Sequence, residues 1–245
     1  MSNGIKVKKR NGRGTEALNL EKMHKMVDEA TQGLAGVSAS QVEIQSGIQF
    51  YDGITTAEIQ EILIKSASDL IDLEHPNYQF VAARLLLFSV RKSLYGRSRE
   101  LPELEDHIVK CVGQEVYDGD IYSKYSKEDI EKANGYIDHN RDFLFTYAGL
   151  RQVVDKYLVQ DRSTGQVYET PQFMYMMIAL TIFAEYPKET RLNYVRRYYD
   201  AISKHKLNIP TPIMAGVRTP IRQFASCVLV DIDDTLDSIF SSDMA

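Results

Sequence analysis

Along most of this chain apolar residues recur every three or four positions, the spacing of one face of an α-helix. Leu20, Met23, Val27 and Ala30 follow Asn19, a residue type that caps helix N-termini, and the stripe runs out near Gly33. A second helix fits residues 39–50. Thr55-Thr56-Ala57-Glu58 has the form of a capping box, and Ile59, Ile62, Leu63, Ala67 and Leu70 behind it share one face. Pro76 marks the next start and Gly96 the next stop, with Val81, Leu85, Phe88 and Leu94 striped between them. Further helices are predicted over 103–112, over 127–137 behind a Ser126-x-x-Asp129 capping box, and over 147–158, 171–184 and 188–205.

Three stretches break this rhythm. Residues 5–10 (IKVKKR) alternate apolar and basic, Asn11-Gly12 is a turn signal, and Thr15 to Leu18 can return, so a small basic hairpin opens the chain. The segment YLVQDRSTGQVYET (157–170) predicts a second hairpin around Ser163-Thr164-Gly165. After Lys206 the texture becomes proline-punctuated and β-rich, LNIPTPIMAGVRTPIRQFASCVLVDIDD, which predicts strand, loop, strand with no further strands to complete a sheet. The fold class is mainly α with small β-hairpins.

Composition narrows the functional classes. With 44% hydrophobic and 26% charged residues the chain can bury a core and is neither disordered nor collagen-like. Its longest apolar run, FMYMMIALTIFA (173–184), is too short for a membrane span, and MSNGIKVKKR has no signal-peptide core. A cytoplasmic protein (host cytoplasm, if viral) with no membrane partner is expected. Cys111 and Cys227 make neither a disulfide framework nor a zinc site, so any role for them is as thiols, and the five histidines lack ligand spacing, so no metal is predicted. The net charge of −5 sits at the end: five of the 34 acids fall in residues 231–245, leaving 29 against 29 Lys+Arg before them. A balanced body argues against broad nucleic-acid binding.

Three features carry candidate chemistry. Lys6, Lys8, Lys9, Arg10 and Arg13 cluster beside the helix start at Asn19 to Lys22. Exposed N–H groups, a helix dipole and cations together suit phosphate, while the plainer reading is a solvated edge that keeps the hairpin from pairing with other chains. VLVDIDDTL (228–236) has the Asp-x-Asp-x-Thr form of haloacid-dehalogenase-type phosphatases, with Asp231 as nucleophile and Asp233 as acid/base, although the doubly wound sheet of that fold would have to be built from ten following residues. Cys227 stands on an apolar run after Ser226, where a small core residue and a functional thiol both fit; Cys111, beside Ile108 and Val112, reads as core.

LNIPTPIMAGVRTPIRQFASCVLV (207–230) closely resembles the large (α) subunit of class I ribonucleotide reductases at the entry into its ten-stranded α/β barrel. VKKRNG, LNLEKMHKMVDEA, QFYDGITTAEIQEILIKSASDLI, PNYQFVAARLLLFSVRK, KYLVQDRSTGQVYETPQF and YPKETRLNYVRRYYDAIS resemble the same subunit in the same order, over essentially residues 5–239. The resemblance implies an ATP-cone over 1–96, a helical domain over 97–206 and the first strands of an incomplete barrel over 207–245. In the cone, Lys9 and Arg10 would meet phosphates, Glu16, Leu18, Asn19 and Lys22 would line ATP or dATP, and Thr56 and Lys92 would close the activity site. Gln60 departs from the family, whose strongly dATP-responsive bacterial members often carry His there.

For the barrel portion the resemblance implies that Thr211 and Ser226 bind the ribonucleoside diphosphate and that Cys227 is one thiol of the redox pair. In that chemistry a thiyl radical takes hydrogen from the ribose C3′, the 2′-hydroxyl leaves as water, and a dithiol supplies two electrons on closing to a disulfide. Asp234, Thr235 and Leu236 would open the specificity site for a nucleoside triphosphate. The family's remaining active-site residues come later, and FSSDMA (240–245) departs from it. The expectation is the N-terminal piece of a split large subunit, as in some bacteriophage genomes, with an engineered truncation as the rival. It would need a C-terminal large-subunit piece and a small radical-generating subunit, with thioredoxin or glutaredoxin as reductant and large-subunit homodimerisation. The alternatives are a non-catalytic nucleotide-sensing module and, remotely, the phosphatase.

Overall fold

The computed structural model describes residues 4–9, 14–221, 224–227 and 229–244. Strands β1 (Lys6–Lys8) and β2 (Thr15–Ala17) pair antiparallel, with Val7 opposite Glu16. Val7 is buried between exposed lysines, the two-residue alternation that the sequence predicts. The free edge of β1 is covered: Gly53 donates its N–H to the Lys6 carbonyl (2.8 Å), and Lys8 donates to Ile54 (2.9 Å). An edge closed by its own chain offers no template for another.

Helices α1 (Leu20–Thr31), α2 (Ala39–Gly47), α3 (Thr56–Asp69) and α4 (Tyr78–Tyr95) follow. Helix α1 buries Met23, Val27 and Ala30 and begins where Asn19 Oδ1 accepts the Lys22 N–H at 2.8 Å. The capping box is formed at α3: Thr55 Oγ1 accepts from the Glu58 N–H (3.1 Å), and Glu58 accepts from the Thr55 N–H (2.8 Å). Helix α4 ends at Gly96, whose φ of 74° is the left-handed conformation that glycine adopts without a Cβ penalty. It is the central element, apolar on most sides, packing on α1 and α3 and, across the molecule, on α8.

The second half holds α5 (Leu104–Gly113), the short α6 (Ile121–Lys124), α7 (Lys127–Asn134) and a 3₁₀ turn, His139–Leu144. Helix α8 (Tyr147–Gln152) widens into a π-helical turn, Val153–Tyr157, closed by Leu158 N–H on the Val153 carbonyl at 2.9 Å. The hairpin β3 (Gln160–Asp161) and β4 (Gln166–Val167) turns through Gly165, as the sequence predicts. Helix α9 (Pro171–Ile182) is buried from Pro171 to Leu180, so the apolar run is a core helix, packed against α10 (Arg191–Ser203). Among the described residues no helix is long and apolar enough to cross a membrane.

The strand, loop, strand expected after Lys206 does not form among the described residues. Thr211–Gly216 is instead helix α11, opened by Pro210 and Pro212 at positions where a missing N–H costs nothing. Residues 224–227 and 229–235 join no ladder, and Leu229 is 99% exposed. A strand is stabilised by its neighbours, and no described segment pairs with these. Leu236–Met244 is a final helix, α12.

Two buried polar networks bind these pieces. Arg91 Nη2 on α4 donates to Asp142 Oδ2 (2.8 Å) and to the His139 carbonyl (2.9 Å), Gln172 Nε2 donates to Asp142 Oδ1 (2.8 Å), and the Tyr199 hydroxyl donates to Gln172 Oε1 (2.6 Å). The second joins Glu169 to Arg218, both fully buried. Arg218 also donates to the carbonyls of Met214 (2.6 Å) and Tyr157 (3.0 Å), while Glu169 accepts from the Val159 N–H (2.7 Å) and the Tyr117 hydroxyl. Every oxygen of that carboxylate is matched by donors, the condition for burying a charge.

Candidate functional site

The first site lies among α1, α3 and α4. A cavity of about 430 Å³ is lined by Lys22 and Lys25 of α1, Gln60 of α3, and Phe88 and Lys92 of α4, and is rimmed by Arg97 and Arg99 beyond Gly96. Five cations therefore face a space within the size range of small-molecule sites. Glu29 and Glu100 also line it, and pair with Arg99 and Arg97 respectively. The Gln60 amide donates to the Leu85 carbonyl at 3.0 Å and is 4% exposed, so its side chain is fixed as part of the wall.

The other predicted nucleotide residues that the structure describes do not line this cavity. Lys9 Nζ pairs with Glu16 at 3.2 Å across the hairpin, and Leu18 anchors the hairpin by donating its N–H to the Ile5 carbonyl (3.0 Å). Asn19 is committed to capping α1. Lys8 and Thr55 form a parallel bridge, which brings Lys9 into register beside Thr56, the first residue of α3. Arg10 lies outside the described residues. Lys25, Phe88, Arg97 and Arg99 were not predicted. Lys25 lies three positions after Lys22 and Phe88 four before Lys92, so helical spacing from the predicted lysines is the signal that points to them.

A second, larger cavity of about 650 Å³ contains Thr211. Its walls come from Leu144, Phe145 and Thr146 before α8, from Val153 and Tyr157 of the π-helical turn, from Tyr175 of α9, and from His205 and Thr211. The Tyr157 hydroxyl lies 3.3 Å from Thr211 Oγ1. His205, with φ of 54°, ends α10 in a conformation rare for a residue with a Cβ, and its ring packs on Phe145 with centroids 4.5 Å apart. Backbone irregularities, a π turn and a left-handed histidine, thus converge on this cavity.

Ser226 and Cys227 are exposed, with Oγ and Sγ 3.8 Å apart, and neither lines the Thr211 cavity. Cys111 is the opposite case: burial pushes its thiol up to about 12, which leaves it protonated and inert among His107, Tyr168 and the core. Thr235 caps α12, its Oγ1 accepting the Ser238 N–H at 3.2 Å, and Asp234 and Leu236 beside it are exposed. Asp231 and Asp233 are exposed too, and the described strands form only two two-stranded hairpins, so the doubly wound sheet of the phosphatase reading is not present among them. Among the described residues no three His, Cys, Asp or Glu side chains converge as metal ligands would.

Comparison with known proteins places both cavities. The ATP cone domain family matches residues 5–93, which span the first cavity except its rim, and the all-alpha domain of ribonucleotide reductase matches residues 143–222, which include Thr211 and Arg218. Ribonucleoside-diphosphate reductase 1 subunit alpha of Escherichia coli (strain K12) is 50% identical over 245 residues, all of this chain and 32% of that protein. The alpha subunit of Haemophilus influenzae is 51% identical over 239 residues, 98% of this chain and 31% of its own length. That of Enterobacteria phage T4 is 44% identical over 227 residues, 92% of this chain and 29% of its own. The chain spans about a third of the length of these relatives. It belongs to the ribonucleotide reductase large-subunit family and corresponds to an N-terminal portion of that subunit, the part that carries the ATP cone and the all-alpha domain.

Proposed function

We propose that this chain supplies the nucleotide-sensing module and part of the substrate site of a ribonucleoside-diphosphate reductase. The observation that carries the reading is the cavity that Lys22, Gln60 and Lys92 share inside the matched cone. Its size suits a nucleoside triphosphate, Phe88 contributes an aromatic side chain to its wall, and cations from two helices and the segment after Gly96 would oppose the phosphates. In this reading Lys9, Arg10, Glu16, Leu18, Asn19 and Thr56 extend the site at the hairpin, with ATP and dATP as competing effectors. The cone occupies residues 1–96, the helical domain 97–206, and the barrel entry 207–245.

Thr211 and Ser226 then hold the ribonucleoside diphosphate, and Cys227 is one of two thiols that give up two electrons as the 2′-hydroxyl leaves as water. Asp234, Thr235 and Leu236 begin the specificity site. The second redox thiol and the thiyl-forming cysteine come from the two thirds of the family's subunit that this sequence does not cover. The radical comes from a small subunit, and thioredoxin or glutaredoxin restores the dithiol. Large subunits of this kind pair as homodimers in the cytoplasm.

Isothermal titration of the full chain with Mg²⁺ and ATP tests the sensing role. Binding is expected, and Lys22→Ala or Lys92→Ala is expected to weaken it about 10-fold or more, since a charge-assisted hydrogen bond contributes about 1.5–3 kcal/mol. Unchanged affinity in both variants would count against the site. The catalytic role is tested by CDP reduction with the rest of a large subunit and a small subunit supplied. Cys227→Ser is expected to abolish turnover while ATP binding persists. The exposure of Cys227, apart from the Thr211 cavity, favours a second reading as a sensor without chemistry, in which that variant is indifferent.

A further inference from the structure

One short piece of chain lines the Thr211 cavity and packs against a wall residue of the other. Phe88, in the wall of the nucleotide cavity, meets Phe143 edge to face, with ring centroids 6.3 Å apart and planes at 90°. Phe143 belongs to the His139–Leu144 turn, and the residues that follow it, Leu144, Phe145 and Thr146, line the cavity of Thr211. Two arginines of α4 flank the same ring: the guanidinium carbons of Arg84 and Arg91 lie 5.2 and 5.8 Å from its centroid. Arg84 donates onward to the carbonyls of Ala30 (3.1 Å) and Gln32 (2.8 Å) at the end of α1, the helix that carries Lys22. Arg91 holds the turn itself through Asp142 and the His139 carbonyl.

The turn is gripped but not saturated. Arg91 Nε and His139 Nδ1 are buried without a hydrogen-bond partner, so polar groups on both sides of the contact keep unused capacity for a second arrangement. Close-packed aromatic contacts pass displacement on in steps and do not absorb it, because the interior has little free volume. A ligand seated against Phe88 is one side-chain contact away from Phe143.

We propose that the His139–Leu144 turn couples the nucleotide cavity to the Thr211 cavity through the Phe88–Phe143 contact, so that occupancy of the first changes the order of residues 139–146. This rests on the nucleotide-binding reading above and gives that site an output inside the chain. Such coupling is reciprocal, so a ligand in the Thr211 cavity would shift affinity for the nucleotide by the same factor.

Hydrogen–deuterium exchange on the full chain, with and without Mg²⁺ and ATP, tests it. ATP is expected to slow exchange in α1 and α4 and also in 139–146, the latter by about 5-fold, the low end of ordinary coupling. Phe143→Ala is expected to keep the response of α1 and α4 and lose that of 139–146. Phe143→Leu, which keeps apolar bulk but not the edge-to-face contact, carries the same expectation if the alanine variant loses its native circular dichroism. Protection of α1 and α4 without any change at 139–146 overturns the coupling and leaves the nucleotide site standing. So does a response at 139–146 that survives both substitutions. No protection anywhere removes the nucleotide site and the coupling with it.

Discussion

His107 shows how a single buried side chain ties the stability of this protein to pH. Its ring stacks on Phe173 at 4.1 Å, and its Nε2 lies 3.1 Å from the Tyr117 hydroxyl, whose proton is given to Glu169. The ring must therefore donate from Nε2, the neutral tautomer, and burial holds its pKa at about 3. Burial and the nearby Arg91 hold His139 at about 4. Unfolded, both imidazoles take up a proton near pH 6.5. Below that pH the unfolded state binds more protons than the folded one, so stability falls with pH until the folded pKa is reached. The urea midpoint is expected to drop between pH 6.5 and 5, where most carboxylates are still ionised, at up to about 1.4 kcal/mol per pH unit for each histidine. His107→Asn should flatten that slope; an unchanged slope would place the titration elsewhere. Nothing in the sequence marks His107 as buried and neutral, because its partners Tyr117, Glu169 and Phe173 come from separate elements. Asn19 is the contrasting residue, legible because the group it caps is three positions away.

Elements divide along the same line. The hairpins, the capping boxes at Thr55 and Ser126 and the stop at Gly96 depend on local chemistry, and each forms where the sequence predicts it. The 3₁₀ turn at His139–Leu144 and the helix at Thr211–Gly216 are too short to show a period; the turn is held by Arg91 of α4, and the helix through Arg218, which follows it and pairs with the distant Glu169. Lys22 and Lys92 can be singled out in the sequence, whereas the cavity wall they share with Gln60 and Phe88 depends on how three helices pack. Gly96 allows a direct test of the local kind. A Cβ there would meet nothing within 4 Å, so the cost of Gly96→Ala is confined to a φ of 74°. It is expected to destabilise by about 1–2 kcal/mol, seen as a lower melting temperature, while Gly96→Asn loses less. Equal melting temperatures for the alanine variant and the parent would mean that α4 can end another way.

At the scale of the whole molecule, α11 and its Thr211 are held to the helical body by one buried ion pair. Arg218 and Glu169 are both inaccessible to water, and Arg218 reaches the Met214 carbonyl on α11 and the Tyr157 carbonyl beneath it. Removing one partner of such a pair leaves a charge in the interior, which costs about 3–5 kcal/mol, whereas removing both leaves no charge to solvate. Arg218→Met is therefore expected to lower unfolding stability by about 3–5 kcal/mol, and Glu169→Gln with Arg218→Met together to lower it by less than Arg218→Met alone. Because the pair also anchors α11, amide exchange over Thr211–Gly216 should rise in the single variant even at temperatures where the helical body is intact. Urea titration of the two single variants and the double variant gives the coupling energy directly. A loss below about 1 kcal/mol for Arg218→Met, the level of an exposed pair, would show that the Thr211 cavity keeps its shape without this anchor.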